Sequence, residues 1–374
     1  MSFRRKPRIF IHNARLVTHD AVVKDAWVLI GNGIIEATGT GRKSVPKGAA
    51  LLDAGNNYLA PGFIDLHIHG DAAEISLRQA RYGTTAFLFA IHTGAMEGIS
   101  RALQRMKEAA QPGARCLGAY LEGPFISKDM AGAQPKKFII TPQKNAARRL
   151  LRIIGSDVKI VTVACELPGA LSFIRSLRKR NIVAALGHTN ASYEQARKAF
   201  SCGITHATHM FNRMSGISSR EPGVSTALML DDTLTTEVIA DARHVHPALL
   251  RLLVKNRPKD KIVLVTDSVG AMGDDSLKMI NGVFRMKDDT IAGSNLNMAK
   301  AVKNMVNLTD VSLPDAVRMA SANPARVIGL DKKMGKISRD YDADLIIFDE
   351  RFDMQMTMVK GEIVYVRDCR ICGR

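Results

Sequence analysis

Residues suited to holding a metal ion recur at the ends of apolar, β-branched runs: His67 and His69 on the first, Glu122 on the third, His188 after the fifth and His209 after the sixth. His67-Ile-His69 has strand spacing, and a period of two puts both imidazoles on one side of a sheet. Neutral imidazole with carboxylate is a typical ligand set for zinc and similar divalent ions, and Glu122 is suited to bridging two of them. Asp267 ends an eighth run, Val263-Leu-Val-Thr-Asp. Beside a metal, a carboxylate there takes a proton from water and hands it to a leaving amine, which is hydrolytic chemistry. His244, in Asp241-Ala-Arg-His, is placed to polarise a substrate carbonyl or hold a sugar hydroxyl. Asn212 and Arg220 lie on the long loop after the sixth run, where an arginine suits bidentate binding of phosphate or carboxylate.

Each of these has an ordinary reading when taken singly: a packed or surface histidine, a turn cap for Asp267, an ion pair for Arg220. Their convergence on matching strand ends is what points to a site. The other histidines fit it less well. His206, inside the sixth run and three residues before His209, is expected to face the opposite way and to be structural. His12 and His19 read as surface residues and His246 as a helix start, while His92, at the end of the second run, faces the same mouth without an assigned part.

The elements that must position these groups alternate in the middle of the chain. Apolar runs at Phe63–His69, Thr85–Ile91, Arg115–Leu121, Lys159–Cys165, Ile182–Leu186, Ile204–Met210, Thr235–Ala240 and Ile262–Val265 are separated by amphipathic stretches. Helices are expected over 96–110, 143–153, 168–179, 192–200 and 247–256, with two more near 299–308 and 313–321 after a loop region. Alternation of this kind predicts a parallel sheet, and eight strands favour a closed (β/α)8 barrel, in which all strand C-termini share one face. The flanks differ. Residues 8–54 read as short strands around turns such as Gly31-Asn-Gly33, and the C-terminal stretch repeats the pattern around Lys360-Gly-Glu362. The expected organisation is therefore a discontinuous β-sandwich from residues 1–57 and 333–374, and a barrel over 58–332.

With 374 residues, 46% hydrophobic and 24% charged, the chain has the composition of an ordinary globular protein of two units. The basic start Met1–Arg8 lacks a following apolar stretch, and no run of about eighteen apolar residues occurs, so a soluble cytoplasmic protein without membrane contact is expected. Five cysteines suit reduced thiols, and Cys369-Arg-Ile-Cys372 stands without a second ligand pair. The net charge of +17 has three readings: a solvated surface, an anionic substrate, or a polyanion partner. No recognised nucleic-acid motif supports the last.

Taken together, Pro61-Gly-Phe-Ile-Asp-Leu-His-Ile-His-Gly70, Leu121-Glu-Gly-Pro124, Gly187-His-Thr-Asn190, Thr208-His-Met-Phe-Asn-Arg-Met214, Arg220-Glu-Pro-Gly223, Val265-Thr-Asp267, Ala292-Gly-Ser294 and Asn323-Pro-Ala-Arg326 resemble the N-acetylglucosamine-6-phosphate deacetylases of the amidohydrolase superfamily, over nearly the whole chain. The resemblance implies a (β/α)8 barrel with a small β-sandwich, a homodimer, and hydrolysis of N-acetylglucosamine 6-phosphate to glucosamine 6-phosphate and acetate. It implies that Glu122, His188 and His209 bind the main divalent ion, zinc first with iron, manganese or cobalt as alternatives, and that intact His67 and His69 allow a second. By the same resemblance Asp267 is general base and acid, His244 contacts the substrate, and Asn212 with Arg220 binds phosphate, the arginine serving either its own or a neighbouring subunit.

Departures from the family pattern bear on the substrate. Gln134 stands where a histidine is usual, Arg213 where a small residue is, and Phe89-Ala90 where Pro-Thr is common; the loop after Gly70 is short, running through Asp71-Ala-Ala-Glu74 into a helix. Gln134 and Arg213 are therefore counted among the substrate-binding candidates. They also motivate the nearest alternative, an amidohydrolase of another N-acyl substrate such as N-acetylgalactosamine 6-phosphate, another N-acyl sugar phosphate, an N-acyl amino acid or a cyclic amide. A more distant one is a non-catalytic basic homologue that binds polyanions.

Overall fold

The computed structural model describes residues 8–271 and 277–367; Cys369 and Cys372 lie outside them. All eight expected runs are strands, and they pair in parallel in sequence order: Phe63–Gly70, Thr84–His92, Arg115–Glu122, Val158–Val163, Val183–Leu186, Ile204–Ala207, Thr235–Ile239 and Ile262–Val265. The first is buried almost throughout, as expected of a parallel strand covered on both faces. The sheet curls until its ends meet. Just beyond the eighth strand, the Asp267 N–H donates to the His67 carbonyl at 2.8 Å, and Ser268 pairs with Ile68 on the first strand.

Helices between the strands follow the amphipathic stretches, for example Met96–Glu108, Lys144–Ile153, Ala170–Arg178, Tyr193–Cys202 and Pro247–Asn256. Each lays its apolar stripe on the sheet, as Ile99, Leu103 and Met106 do on the first of these. Among the described residues, no helix is long and apolar enough to cross a membrane. The region after the eighth strand holds further strands where only a loop was expected. Ser268–Ala271, Ile291–Ser294, Val283–Arg285 and Lys278–Ile280 extend the sheet beyond the first strand, making twelve in all. They are three or four residues long, too short for periodicity to reveal.

The two flanks meet in a second sheet of eight strands. Its order runs from Glu362–Val366 through Met354–Val359, Leu345–Phe348, Tyr58–Pro61, Arg8–Val17 and Val22–Gly31 to Ile34–Thr40, with Ala49–Asp53 also paired to Arg8–Val17. The strands form one hydrogen-bonded network where a sandwich of two sheets was expected. Arg8–Val17 explains how: its first half pairs with Ala49–Asp53 and its second with Tyr58–Pro61, across a register break near Asn13. Tyr58–Pro61 thus belongs to the smaller sheet, although it lies on the barrel side of the division expected between 57 and 58. Ile11, Val28, Leu59, Leu345, Ile347 and Met356 give this unit its own core. Arg115, on the third parallel strand, joins the two units through ion pairs with Asp342 at 3.1 Å and with Asp344.

The connection after Gly70 is as short as the sequence implies. Asp71 is at once the end of the turn and the cap of helix Ala72–Ala80, its side chain accepting from the N–H groups of Ala73 and Glu74, both at 3.0 Å. Those donors have no partner within the helix, so Asp71→Ala is expected to destabilise the larger unit by about 1 kcal/mol, read as a lowered urea midpoint.

Candidate metal centre

Glu122 sits at the centre, on the last residue of the third strand and 3% exposed. Its Oε1 lies 2.8 Å from His188 Nε2 and 2.9 Å from His209 Nε2, while Oε2 accepts from the Gln134 side-chain amide. His67 Nε2 and His69 Nε2 approach the same carboxylate at 3.7 and 3.6 Å. Two groups of donors result, Glu122 with His188 and His209, and Glu122 with His67 and His69, the donor atoms of each lying within 4.8 Å of one another. The expected five thus converge, and Glu122 belongs to both groups.

The turns after the strands do the aiming. His188, His209 and Asp267 each follow a strand end, and each has left-handed backbone, with φ of 46°, 24° and 46°. For residues with a Cβ this conformation costs about 1–3 kcal/mol, and such strain collects at functional sites. It swings the side chain out of the strand's alternation and into the mouth. Close packing helps hold His188 where it is: a Cβ on the preceding Gly187 would lie 2.5 Å from Thr208 Cβ. His188 Nδ1 is fixed by the Met130 carbonyl at 2.8 Å, which leaves Nε2 for the centre.

Asp267 Oδ1 lies 3.2 Å from His69 Nε2 and 3.7 Å from His67 Nε2. Behind this group is a layer that the sequence reading missed. Glu237, fully buried in the seventh strand, accepts from the His209 N–H at 3.1 Å and meets His67 Nδ1 at 3.1 Å and His206 Nε2 at 3.0 Å. His206 therefore stays out of the donor groups, but it does not face away from the interior: it lies one layer below the mouth, also bonded to Thr235 Oγ1 at 2.6 Å. The strand stops at Ala207, so the parity counted from 206 to 209 does not apply. Asp65, two residues before His67 on the same face, accepts from the His67 and Thr266 N–H groups and the Thr266 hydroxyl. Both acids had a signal in the sequence, an ionisable side chain inside an otherwise apolar strand.

Charge decides what this arrangement suits. Asp65, Glu122 and Glu237 are buried together with Asp267 half-buried beside them, and among the described residues the ion-pair partners of Glu122, Glu237 and Asp267 are histidines. Burial raises Asp65 to about 6. Burial also works to raise Glu122, yet His188 and His209 hold it well below the usual carboxylate range. Burial opposes a charge on His67, but Asp267 and Glu237 outweigh it and push its pKa well above the ordinary value. Carboxylates that favour the charged form of the buried His67 ring mark a centre short of positive charge. His67 Nε2, buried and without a hydrogen-bond partner, points to the same deficit. Nitrogen and carboxylate donors in this number fit a divalent ion of the zinc kind.

The centre opens into a cavity of about 510 Å³ lined by His69, His92, Gln134, Asn212, Arg213, His244 and Asp267, among others. His244 is held by Asp241, which accepts from its backbone N–H at 2.8 Å and meets its Nδ1 at 2.6 Å, leaving Nε2 without a partner among the described residues. Gln134 is less available than expected: its amide is spent on Glu122, and its carbonyl accepts from the Thr93 N–H at 2.7 Å. Arg213 packs over Gly132, whose positive φ of 60° favours glycine and where an added Cβ would lie 2.8 Å from Arg213 Nε. Arg220 is the expected site residue that the structure leaves out. It lies on the exposed stretch 216–221, away from the cavity lining, because the loop leaves the mouth after Arg213. His92 does face the mouth, and His246 caps helix Pro247–Asn256.

An eight-stranded parallel curl with histidines and carboxylates at its strand C-termini is a metal-hydrolase architecture. The model of the amidohydrolase family matches residues 58–364, and the chain belongs to that family. Within it, the chain is similar to deacetylases of N-acetyl amino-sugar phosphates. It is 33% identical to the N-acetylglucosamine-6-phosphate deacetylase of Bacillus subtilis (strain 168), over 96% of this chain and 97% of that one. It is 32% identical to the N-acetylgalactosamine-6-phosphate deacetylase of Escherichia coli O157:H7, over 93% and 97%. Among solved structures, a Mycobacterium smegmatis N-acetyl-D-glucosamine-6-phosphate deacetylase, an aspartate-to-alanine mutant in complex with N-acetyl-D-glucosamine-6-phosphate, superposes with a TM-score of 0.89 at 29% identity, covering 96% of this chain and 100% of that one.

Glu237 touches two of the five donor residues without being one. Glu237→Gln is expected to keep the fold and to weaken Zn²⁺ binding about 10–100-fold, the usual effect of removing a partner that orients a ligand; competition with a chromogenic chelator measures it.

Proposed function

We propose that the chain is a metal-dependent deacetylase of N-acetylated hexosamine 6-phosphates, releasing acetate and glucosamine 6-phosphate from N-acetylglucosamine 6-phosphate. The observation that carries this is Glu122 shared by two histidine pairs, with the Asp267 carboxylate 3.2 Å from His69 Nε2 at the floor of the cavity. The named relatives and the substrate complex support it. We read the curled sheet as a closed (β/α)8 barrel over about residues 58–332, and the second sheet as a β domain assembled from 1–57 and 333–374, with Tyr58–Pro61 crossing between them.

Glu122, His188 and His209 would hold the principal ion and His67 with His69 a second, zinc first among the candidates. Such an ion supplies Lewis acidity to the amide carbonyl and lowers the pKa of a water. Asp267 takes the proton of the attacking water and delivers it to the sugar nitrogen as the C–N bond breaks. His244, its Nδ1 tied to Asp241, offers Nε2 to the carbonyl or to a sugar hydroxyl. Arg213 offers its guanidinium to the phosphate at the cavity's edge, beside Asn212, whose side-chain amide donates to the His209 and Met210 carbonyls, both at 3.3 Å. Arg220, outside its own cavity, suits the phosphate of a neighbouring subunit in a homodimer.

The near-equal identities to a glucosamine-type and a galactosamine-type relative make the 4-epimer the second reading. Acetate release from both epimers by protein reconstituted with Zn²⁺, against the chelated form, tests both readings. Metal-dependent turnover of either establishes the chemistry, and inactivity toward both with the ion bound overturns it. Asp267→Asn is expected to keep metal content and lose turnover by about a thousandfold or more, since proton transfer by a positioned group contributes on this scale; metal analysis beside the acetate assay reads the two effects separately. Arg213→Ala is expected to raise KM for the 6-phosphate about tenfold while leaving the unphosphorylated sugar unchanged. Equal losses on the two would remove Arg213 from the phosphate.

A further inference from the structure

A second cavity of about 480 Å³ adjoins the first, and the two share His92 and Pro135 in their linings. It is built at the ends of the first two parallel strands and along helix Met96–Glu108. The short connection after Gly70 borders it: Gly70, Asp71 and Ala72 form part of its wall, with helix Ala72–Ala80 starting at once behind them. Phe89, Ile99, Met106 and Phe138 give it an apolar side. Arg101 and Arg105, four residues apart on one helix face, add two cations that have no hydrogen-bond or ion-pair partner among the described residues.

Its position relative to the proposed chemistry says what enters it. Asn212 and Arg213 follow the sixth strand, and in a curl of eight whose ends meet, the second strand lies across from the sixth. In a hexosamine 6-phosphate, C5, which bears the phosphorylated arm, and C2, which bears the amide, are on opposite sides of the ring. With the phosphate beside Arg213 and the amide over Glu122, the acyl group therefore points away from the phosphate, past His92 and toward the second cavity.

Resting on the proposed deacylase reading, we infer that this cavity is an acyl subsite, and that it takes N-acyl groups of several carbons ending in a carboxylate, such as succinyl or glutaryl. The methylenes lie against Phe89, Ile99 and Met106, and the terminal carboxylate meets Arg101 and Arg105. The reaction is the same hydrolysis: water adds to the amide carbonyl, the C–N bond breaks, the nitrogen leaves as the protonated amine, and a dicarboxylate is released in place of acetate.

The test compares N-acetyl-, N-butyryl-, N-succinyl- and N-glutaryl-glucosamine 6-phosphate as substrates of the Zn²⁺-loaded protein, read as free amine, in the wild type and in R101Q/R105Q. Expected are a kcat/KM for an acid-tailed substrate at or above that for acetyl, and a loss of about tenfold or more on that substrate in the double variant, with acetyl and butyryl within about twofold. Acid-tailed substrates cleaved about a hundredfold more slowly than acetyl, or a variant that slows all four alike, would overturn the acyl subsite and leave the deacetylase reading standing. No cleavage of any of the four with the ion bound would overturn the deacylase reading and this inference with it.

Discussion

A carboxylate buried at the mouth of an apolar curl is the constraint around which this molecule is organised. Glu122 is nearly inaccessible to solvent, and an ionised group in that position is stable only with its oxygens fully engaged. Imidazoles from the first, fifth and sixth strand ends and an amide from the loop after the third converge on it. Asp65, Glu237 and Asp267 deepen the negative charge and are in turn bonded to the same histidines or to the backbone that carries them. The left-handed turns at His188, His209 and Asp267 are tolerated because this network over-determines them.

The groups proposed to carry the chemistry and those proposed to choose the substrate sit on different kinds of structure. The donors lie on strand ends or within three residues of them, where the sheet fixes their spacing. Asn212, Arg213 and Arg220 lie on the long excursion after the sixth strand, and Gln134 on the one after the third. The departures from the family pattern at Gln134, Arg213 and the turn after Gly70 fall on connections that follow strands, while Phe89-Ala90 lies within the second parallel strand. A family can change its substrate through such loops while its reaction stays in place, because loop changes leave the sheet geometry undisturbed. In this chain the short turn after Gly70 forms part of the wall of a second cavity, while His67 and His69 on the strand before it belong to the donor group.

The sequence by itself determined the eight parallel strands, their alternation with helices, and which five histidine and glutamate side chains converge at the mouth. Apolar period and strand-end position are local properties, and the parallel topology forces every strand C-terminus to one face. The spacing of His67 and His69 was enough to aim both into the mouth, because two residues is the repeat of a strand. Tertiary structure alone decided the rest. That Glu237 backs His67, His206 and His209 depends on strands far apart in the chain becoming neighbours, which no local pattern encodes. His206 lies inside the curl, held by Glu237 and Thr235, and its direction could not be reckoned from His209 because the strand ends at Ala207 and its alternation with it. Gln134 is bound to Glu122, and Arg220 stands clear of its own cavity, because a loop's path is set by what it packs against and not by its residue types.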